Sequence, residues 1–175
     1  MHDPDPRTLA GALQGDLGAF EDLVRLYQVE VWRYAYHLTG NRATAEDVTQ
    51  ETFLRAFRFL RSFRGEAKFS SWLLRIARNC SMDALRRSRD IPTPERASLT
   101  AVTPDPSLRA ELLAAVRALS TGHREPFVLV EVFGLSYQEA ADVLQVRVGT
   151  VKSRMHRARQ ALIRHLSDEE AVHEA

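Results

Sequence analysis

Residues 134–159 read Gly134-Leu135-Ser136-Tyr137-Gln138-Glu139-Ala140-Ala141-Asp142-Val143-Leu144-Gln145-Val146-Arg147-Val148-Gly149-Thr150-Val151-Lys152-Ser153-Arg154-Met155-His156-Arg157-Ala158-Arg159. Ser136 to Glu139 make a capping box, in which the serine hydroxyl accepts from the Glu139 amide and the glutamate reaches back to the Ser136 amide. A helix therefore starts here, carries Ala140, Val143 and Leu144, and breaks at Gln145-Val146-Arg147. A second helix resumes at Val148, with Val151, Met155 and Leu162 facing inward. From Arg147 to His165 the chain holds six Arg and Lys and no acid. A short helix, a brief break and a basic helix is the pattern of a helix-turn-helix, whose second helix enters the major groove by its N-terminal end. Arg147, Thr150, Lys152, Ser153, Arg154 and Arg157 are then the candidates for phosphates and base edges. A merely solvated helix is the alternative, and it leaves the coincidence of cap, break and absent acids unexplained.

Outward from this motif, apolar residues recur at helical spacing almost throughout, without clean two-residue alternation, so the fold class is all-α. Asp5-Pro6 caps and opens a first helix that stops near Gly15, and Asp16 caps a second. On that second helix Phe20, Leu23, Val24, Tyr27, Val31 and Leu38 form one stripe before Gly40. Asn41 caps a third, expected to bury Phe53, Ala56, Phe57 and Leu60. Residues 63–69 read as a loop, after which Ser70 or Ser71 caps a helix running from Trp72 to about Arg87. Periodicity then lapses among Pro92, Pro94, Pro104 and Pro106, the composition of an extended linker. The prediction is two small helical domains, 1–88 and 107–167, joined by a Pro-containing linker at 89–106. A short acidic tail at 168–175 reads either as a solvated end or as a cover over the basic helix. Pro126 is harmless in the first turn of its helix and a kink if deeper.

At 175 residues with 45% apolar and 27% charged side chains, the composition is that of a folding globular chain. No uncharged apolar run approaches the ~20 residues of a membrane span, and the first residues are acidic where a signal peptide is basic, so the expected location is cytoplasmic, without membrane insertion. Cys80, the one cysteine, cannot form an intrachain disulfide and reads as a small buried hydrophobe. The six histidines include no pair on one helix face, so neither metal nor cofactor is expected. The net charge of +1 hides segregation. Residues 55–89 carry ten bases against Glu66 and Asp83, whereas residues 19–51 carry six acids against three arginines.

In that acidic zone Asp47, Gln50, Glu51 and Leu54 recur at i, i+3, i+4 and i+7, one polar stripe that is either a solvated surface or a partner's. Phe63, Phe69 and Trp72 interleave with Arg64, Lys68, Arg75, Arg78, Arg86 and Arg87, the mix that single-stranded nucleic acid favours, although aromatic core packing gives it too. Glu46-Asp47-Val48-Thr49-Gln50-Glu51-Thr52-Phe53, Phe63-Arg64-Gly65, Phe69-Ser70-Ser71-Trp72-Leu73 and Arg75-Ile76-Ala77-Arg78-Asn79 resemble the second conserved region of bacterial sigma factors. Gly134 to Ala141 and Val148 to Arg154 resemble the fourth. With both in order and nothing like the first or third regions between them, the chain resembles the extracytoplasmic-function (ECF) group of the sigma-70 family.

The resemblance implies a subunit that binds core RNA polymerase and directs it to promoter DNA, with no catalytic group and no small-molecule substrate. It implies that Asp47, Gln50, Glu51 and Leu54 meet the clamp helices of the largest polymerase subunit. Arg64, Gly65, Lys68 and Phe69 would hold a base flipped from the -10 element, with Ser71, Trp72, Arg75 and Asn79 at its upstream edge, binding energy repaying the unstacking. The helix-turn-helix set named above would read the -35 element, Arg154 contacting a base and the others phosphates. An anti-sigma factor is the further partner implied. Gln145 stands where the family often has Gly and Arg147 where Pro is common. A left-handed residue other than Gly costs on the order of 1 kcal/mol, which puts the looping of the break and the register of the groove-facing residues in question. The rival readings are a free-standing helix-turn-helix regulator, which would need a dimerisation helix or ligand pocket, and an enzyme using Glu46, Asp47 and Glu51, which lacks a nucleophile–base pair.

Overall fold

The structure, a computed structural model, describes residues 3–90 and 114–173, with side chains at 3–88 and 114–165. The described residues are helical with no strand among them: α1 (Pro6–Leu13), α2 (Leu17–Thr39), α3 (Arg42–Phe59), a 3-10 turn (Leu60–Ser62), α4 (Phe69–Asp90), α5 (114–118), α6 (Thr121–Phe127), a π turn (Val128–Val132), α7 (Tyr137–Leu144) and α8 (Val148–His173). The linker expected at 89–106 lies almost wholly outside the described residues. The backbone of α8 continues to His173, so the segment set apart as an acidic tail begins as helix.

Local chemistry sets the boundaries of the first half. Asp5 and Asp16 accept from the first amides of α1 and α2, and Asn41 accepts from Thr44 N–H. Gly40, at φ 67°, ends α2 in the left-handed conformation. The expected α2 stripe is realised, with Leu23, Tyr27, Val31 and Leu38 buried together with Tyr34 and Ala35. Two expectations need correcting. α4 begins at Phe69 rather than Trp72, the Trp72 amide donating to the Lys68 carbonyl. The buried face of α3 is Ala45, Val48, Thr52 and Ala56, whereas Phe57 is 50% exposed and meets Phe20 edge-on. Small residues win that face because Ala35, Ala45, Val48 and Cys80 pack as one cluster, which lets α2, α3 and α4 approach closely.

Pro126 is the sixth residue of α6, beyond the harmless first turn, and the helix gives way one residue later to the π turn that ends with Phe133 N–H donating to Val128. Ser136 and Glu139 make the capping box, 3.2 and 2.7 Å, and Gln145 itself takes the left-handed conformation at φ 55°, ψ 45°. The break is therefore looped in the ordinary way without glycine. Val151, Met155, Ala158 and Leu162 of α8 close the core of the second half. α7 also packs along α4, so the two halves share one continuous apolar cluster.

Candidate polymerase and nucleic-acid interfaces

Three surfaces carry the predicted residues. On α3, Asp47, Gln50 and Leu54 stand exposed and Glu51 is half-buried. Leu54 keeps 55% of its surface in water, an apolar spot within a polar stripe. Glu51 is engaged from behind: Arg55 donates to it at 2.6 Å and to Asp83 of α4 at 3.1 Å, and Arg86 bonds Asp83 in turn. These bonds tie α3 to α4 and hold the Asp83 carboxyl below its usual range, Arg55 contributing most. Thr44, Asp47, Gln50, Glu51 and Leu54 line a hollow of about 550 Å³ with Cys80 at its inner wall. Burial pushes the Cys80 thiol up, so it sits there as a small apolar group rather than a reactive thiolate.

The second surface is the loop before α4. Arg64, Gly65, Lys68 and Asn79 are exposed and Arg75 is half-exposed. Gly65, at φ 73°, is the residue that lets the loop reverse. Phe69, Ser71 and Trp72, expected among the DNA-facing side chains, are instead buried at 3%, 3% and 7% exposure. Phe63, Phe69 and Trp72 pack on one another with ring centroids 5.5–5.6 Å apart. Burying rings of this size outweighs presenting them to water, so they brace the loop from beneath. The loop residues 62–67, Trp72 and Arg75 form one wall of a cleft of about 530 Å³. Its other wall is Ala141 and Asp142 of α7 with Gln145 and Val146 of the break.

Lys68 at the edge of this cleft bonds Glu139 of α7 at 2.8 Å. Its ammonium, more than the Ser136 backbone, draws the Glu139 carboxyl down to about 2. A lowered folded-state value stabilises the closed cleft fully above the ordinary 4.5 and loses that contribution as pH falls toward 2. The expected NMR titration of the Glu139 carboxyl has its midpoint well below 4, moving up toward the ordinary range with Lys68→Ala. A midpoint insensitive to that substitution would mean that Lys68 does not face Glu139 in solution.

The third surface is the start of α8. Arg147, Lys152, Ser153 and Arg157 are exposed, and Thr150 and Arg154 half-buried. Ser153 Oγ donates to the Thr150 carbonyl at 3.0 Å, turning the hydroxyl back onto its own helix. Arg159 is committed to Glu131 at 2.6 Å. The predicted residues thus occupy one face, with Val151 and Met155 fully buried on the other.

Residues 23–91 match the family Sigma-70 region 2, and residues 109–162 match Sigma-70, region 4. Over 173 residues the chain is 34% identical to the ECF RNA polymerase sigma factor SigW of Bacillus subtilis, covering 89% of this chain and 92% of that one. The chain belongs to the ECF sigma factors. It is also 37% identical over 170 residues to ECF RNA polymerase sigma factor SigE of Mycolicibacterium smegmatis, of whose length it spans 64%. Among solved structures, this sigma factor is similar to CnrH in complex with the cytosolic domain of CnrY, with TM-score 0.73, 30% identity and 93% and 96% of the two chains covered. It is likewise similar to Bartonella quintana RpoE in complex with the anti-sigma factor NepR, with TM-score 0.72, 28% identity and 85% and 96% covered.

No helix among the described residues is long and apolar enough to cross a membrane. Sequence reasoning missed one group altogether, the Arg78–Glu125 pair, whose partners lie 47 residues apart on different halves. The available signal was a glutamate set directly before the apolar run Pro126-Phe127-Val128-Leu129-Val130.

Proposed function

We propose that this sigma factor binds core RNA polymerase through Asp47, Gln50, Glu51 and Leu54 and directs it to promoters. In this reading it melts and holds the -10 element through the Arg64–Lys68 loop, Arg75 and Asn79. It reads the -35 element through Arg147, Thr150, Lys152, Ser153, Arg154 and Arg157. Phe69, Ser71 and Trp72, buried beneath the loop, support it. The observation that carries the reading is the start of α8: a basic, acid-free helix end presented to solvent by a helix-turn-helix whose opposite face is sealed. Such an end fits the major groove. A sigma factor is a transcription initiation factor, not an enzyme, and the bond-making belongs to the polymerase. An anti-sigma factor is the natural further partner, since the similar RpoE was solved with one.

The test is run-off transcription from a genomic fragment library by core polymerase with and without the protein, followed by 5′-end mapping. Specific starts should appear only with the protein. Asp47→Ala with Gln50→Ala should reduce them about tenfold or more, the equivalent of ~1.4 kcal/mol of lost interface. Both side chains are exposed, so the fold should be untouched. Starts that persist undiminished would remove the α3 stripe from the polymerase interface. Duplex binding without any specific start would favour the free-standing regulator.

A further inference from the structure

Of the polar side chains on the α3 stripe, Glu51 is braced from within the protein, whereas Asp47 and Gln50 make no side-chain hydrogen bond or ion pair among the described residues. A Glu–Arg pair at i, i+4 on a helix is ordinarily worth little in water. Arg25 with Glu21 and Arg42 with Glu46 are pairs of that kind: the arginine side chains are 73% and 82% exposed and bond only along their own helices. Arg55 is 32% exposed and bonds two helices at once.

Its Nε donates to Glu51 Oε1 at 2.6 Å and its Nη1 to Asp83 Oδ2 of α4 at 3.1 Å, while Arg86 bonds the other Asp83 oxygen. A guanidinium is a rigid planar fork, so carboxylates on two different helices fix its plane where a single one leaves it free to turn. Arg55, fixed in this way, fixes Glu51 in turn. Asp83 is held ionised by Arg55 and then Arg86 throughout the neutral range, so the brace is permanent there. Glu51 Oε2 accepts no hydrogen bond among the described residues and remains available to a donor from outside, because a bond to one carboxylate oxygen does not occupy the other. Glu51 and Arg55 line the hollow on α3, with buried Val48 and Cys80 on its inner side.

We propose that Arg55 and Asp83 are positioning residues for polymerase binding, acting through Glu51, whose carboxylate they hold ready at the α3 hollow. The role rests on the reading of the α3 stripe as the polymerase surface. A side chain ordered in advance loses less conformational freedom on association, and one such side chain changes affinity by roughly two- to tenfold. Neutralising Asp83 leaves Arg55 with only its bond along α3, so Glu51 should lose its restraint although Glu51 and Arg55 are both still present.

The test is equilibrium binding of the full chain, labelled at its N-terminus, to purified core RNA polymerase. Glu51→Ala should weaken binding about tenfold, and Arg55→Ala and Asp83→Asn each by roughly two- to tenfold. In the Glu51→Ala background the same two substitutions should add less than about twofold, because nothing is left for them to position. Arg55→Lys should behave as Arg55→Ala does, since an ammonium keeps the charge and loses the planar fork. A merely structural part for Arg55 and Asp83 would cost the same with or without Glu51 and would not distinguish lysine from arginine by its fork. Asp83→Asn is close to isosteric, so it keeps the test usable should Arg55→Ala loosen α3 from α4, and circular dichroism checks that each variant is folded. The positioning role is overturned, with the α3 reading intact, if Glu51→Ala weakens binding while Arg55→Ala and Asp83→Asn match wild type. It is equally overturned if their effects persist undiminished without Glu51, or if Arg55→Lys binds as wild type does. Failure of the α3 reading shows separately: Glu51→Ala, Asp47→Ala and Gln50→Ala would then all bind core polymerase like wild type, and the positioning role would fall with it.

Discussion

Replacing Arg154 with alanine is expected to relax selection at one or two positions of the -35 element by about 10- to 100-fold, the ~1–3 kcal/mol that a bidentate arginine–guanine contact contributes. Arg154 stands between buried Val151 and Met155 on α8 and is itself half-buried, so its stem is fixed against the helix-turn-helix body. A guanidinium carried on a fixed stem can discriminate base edges, because the geometry it offers does not adapt to the wrong pair. Lys152 and Arg157 are exposed, with free rotation of long stems, and suit phosphates. Lys152→Ala should therefore weaken binding evenly across sequences and reduce the dependence of log K on log salt by about one unit. Selection from a promoter library randomised through the -35 region, run at two salt concentrations with wild type and both variants, separates the roles. If Arg154→Ala keeps the wild-type consensus and merely lowers every yield, its side chain contacts the backbone and the base reader lies elsewhere on α8.

What could be read from the sequence was whatever is written within a few residues. The caps at Asp5, Asp16, Asn41 and Ser136 all act as their side-chain chemistry dictates, and the buried stripes of α2 and α8 follow the helical period. α3 misled because large apolar residues mark a buried face only when the neighbouring helices stand far enough away. Ala45, Val48 and Ala56 against Ala35 and Cys80 bring them close, and Phe57 is displaced to the edge. Gln145 shows the same override in the backbone: the Ser136–Glu139 cap before it and Val151 after it fix both helices, and the residue between takes the left-handed conformation at a cost of about 1 kcal/mol. The loop rings Phe63, Phe69 and Trp72 carried two readings, and placement depends on what lies beneath them, which the local pattern does not contain. The seam between the halves was the least legible element of all. Arg78 with Glu125, Tyr36 with Arg117 and Lys68 with Glu139 pair residues from opposite halves, and no periodicity relates them.

Val151→Asp should be the most damaging single change in the second half, because Val151 is 0% exposed where α8 closes on α7, among Ala140, Val143, Leu144 and Met155. Nothing in that apolar cluster can pair a carboxylate, so burial penalises the ion by several kcal/mol, comparable with the ~5–15 kcal/mol total stability of an ordinary domain. The variant should lose helicity from the second half at pH 7, and with it every start that depends on a -35 element. The pH dependence has a definite sign. Burial raises the introduced carboxyl's folded-state pKa above its ordinary ~3.9, so well below pH 4 both states hold the proton and the deficit relative to wild type is at its smallest. As pH climbs through that ordinary value the unfolded chain gains an ionisation that the folded core refuses, and the deficit widens until the raised folded-state value is passed. Urea unfolding of wild type and variant at several pH values, followed by circular dichroism, measures that difference directly. Ser153→Asp provides the contrast: on the exposed face two residues away the same charge should shift stability by less than ~0.5 kcal/mol while still repelling DNA. Loss of -35-dependent transcription in both variants, with unfolding in only one, would separate the helix that must be held in place from the charge that must meet the groove. A Val151→Asp protein within 1 kcal/mol of wild type at pH 7 would mean that α8 does not seat on α7 as this structure has it.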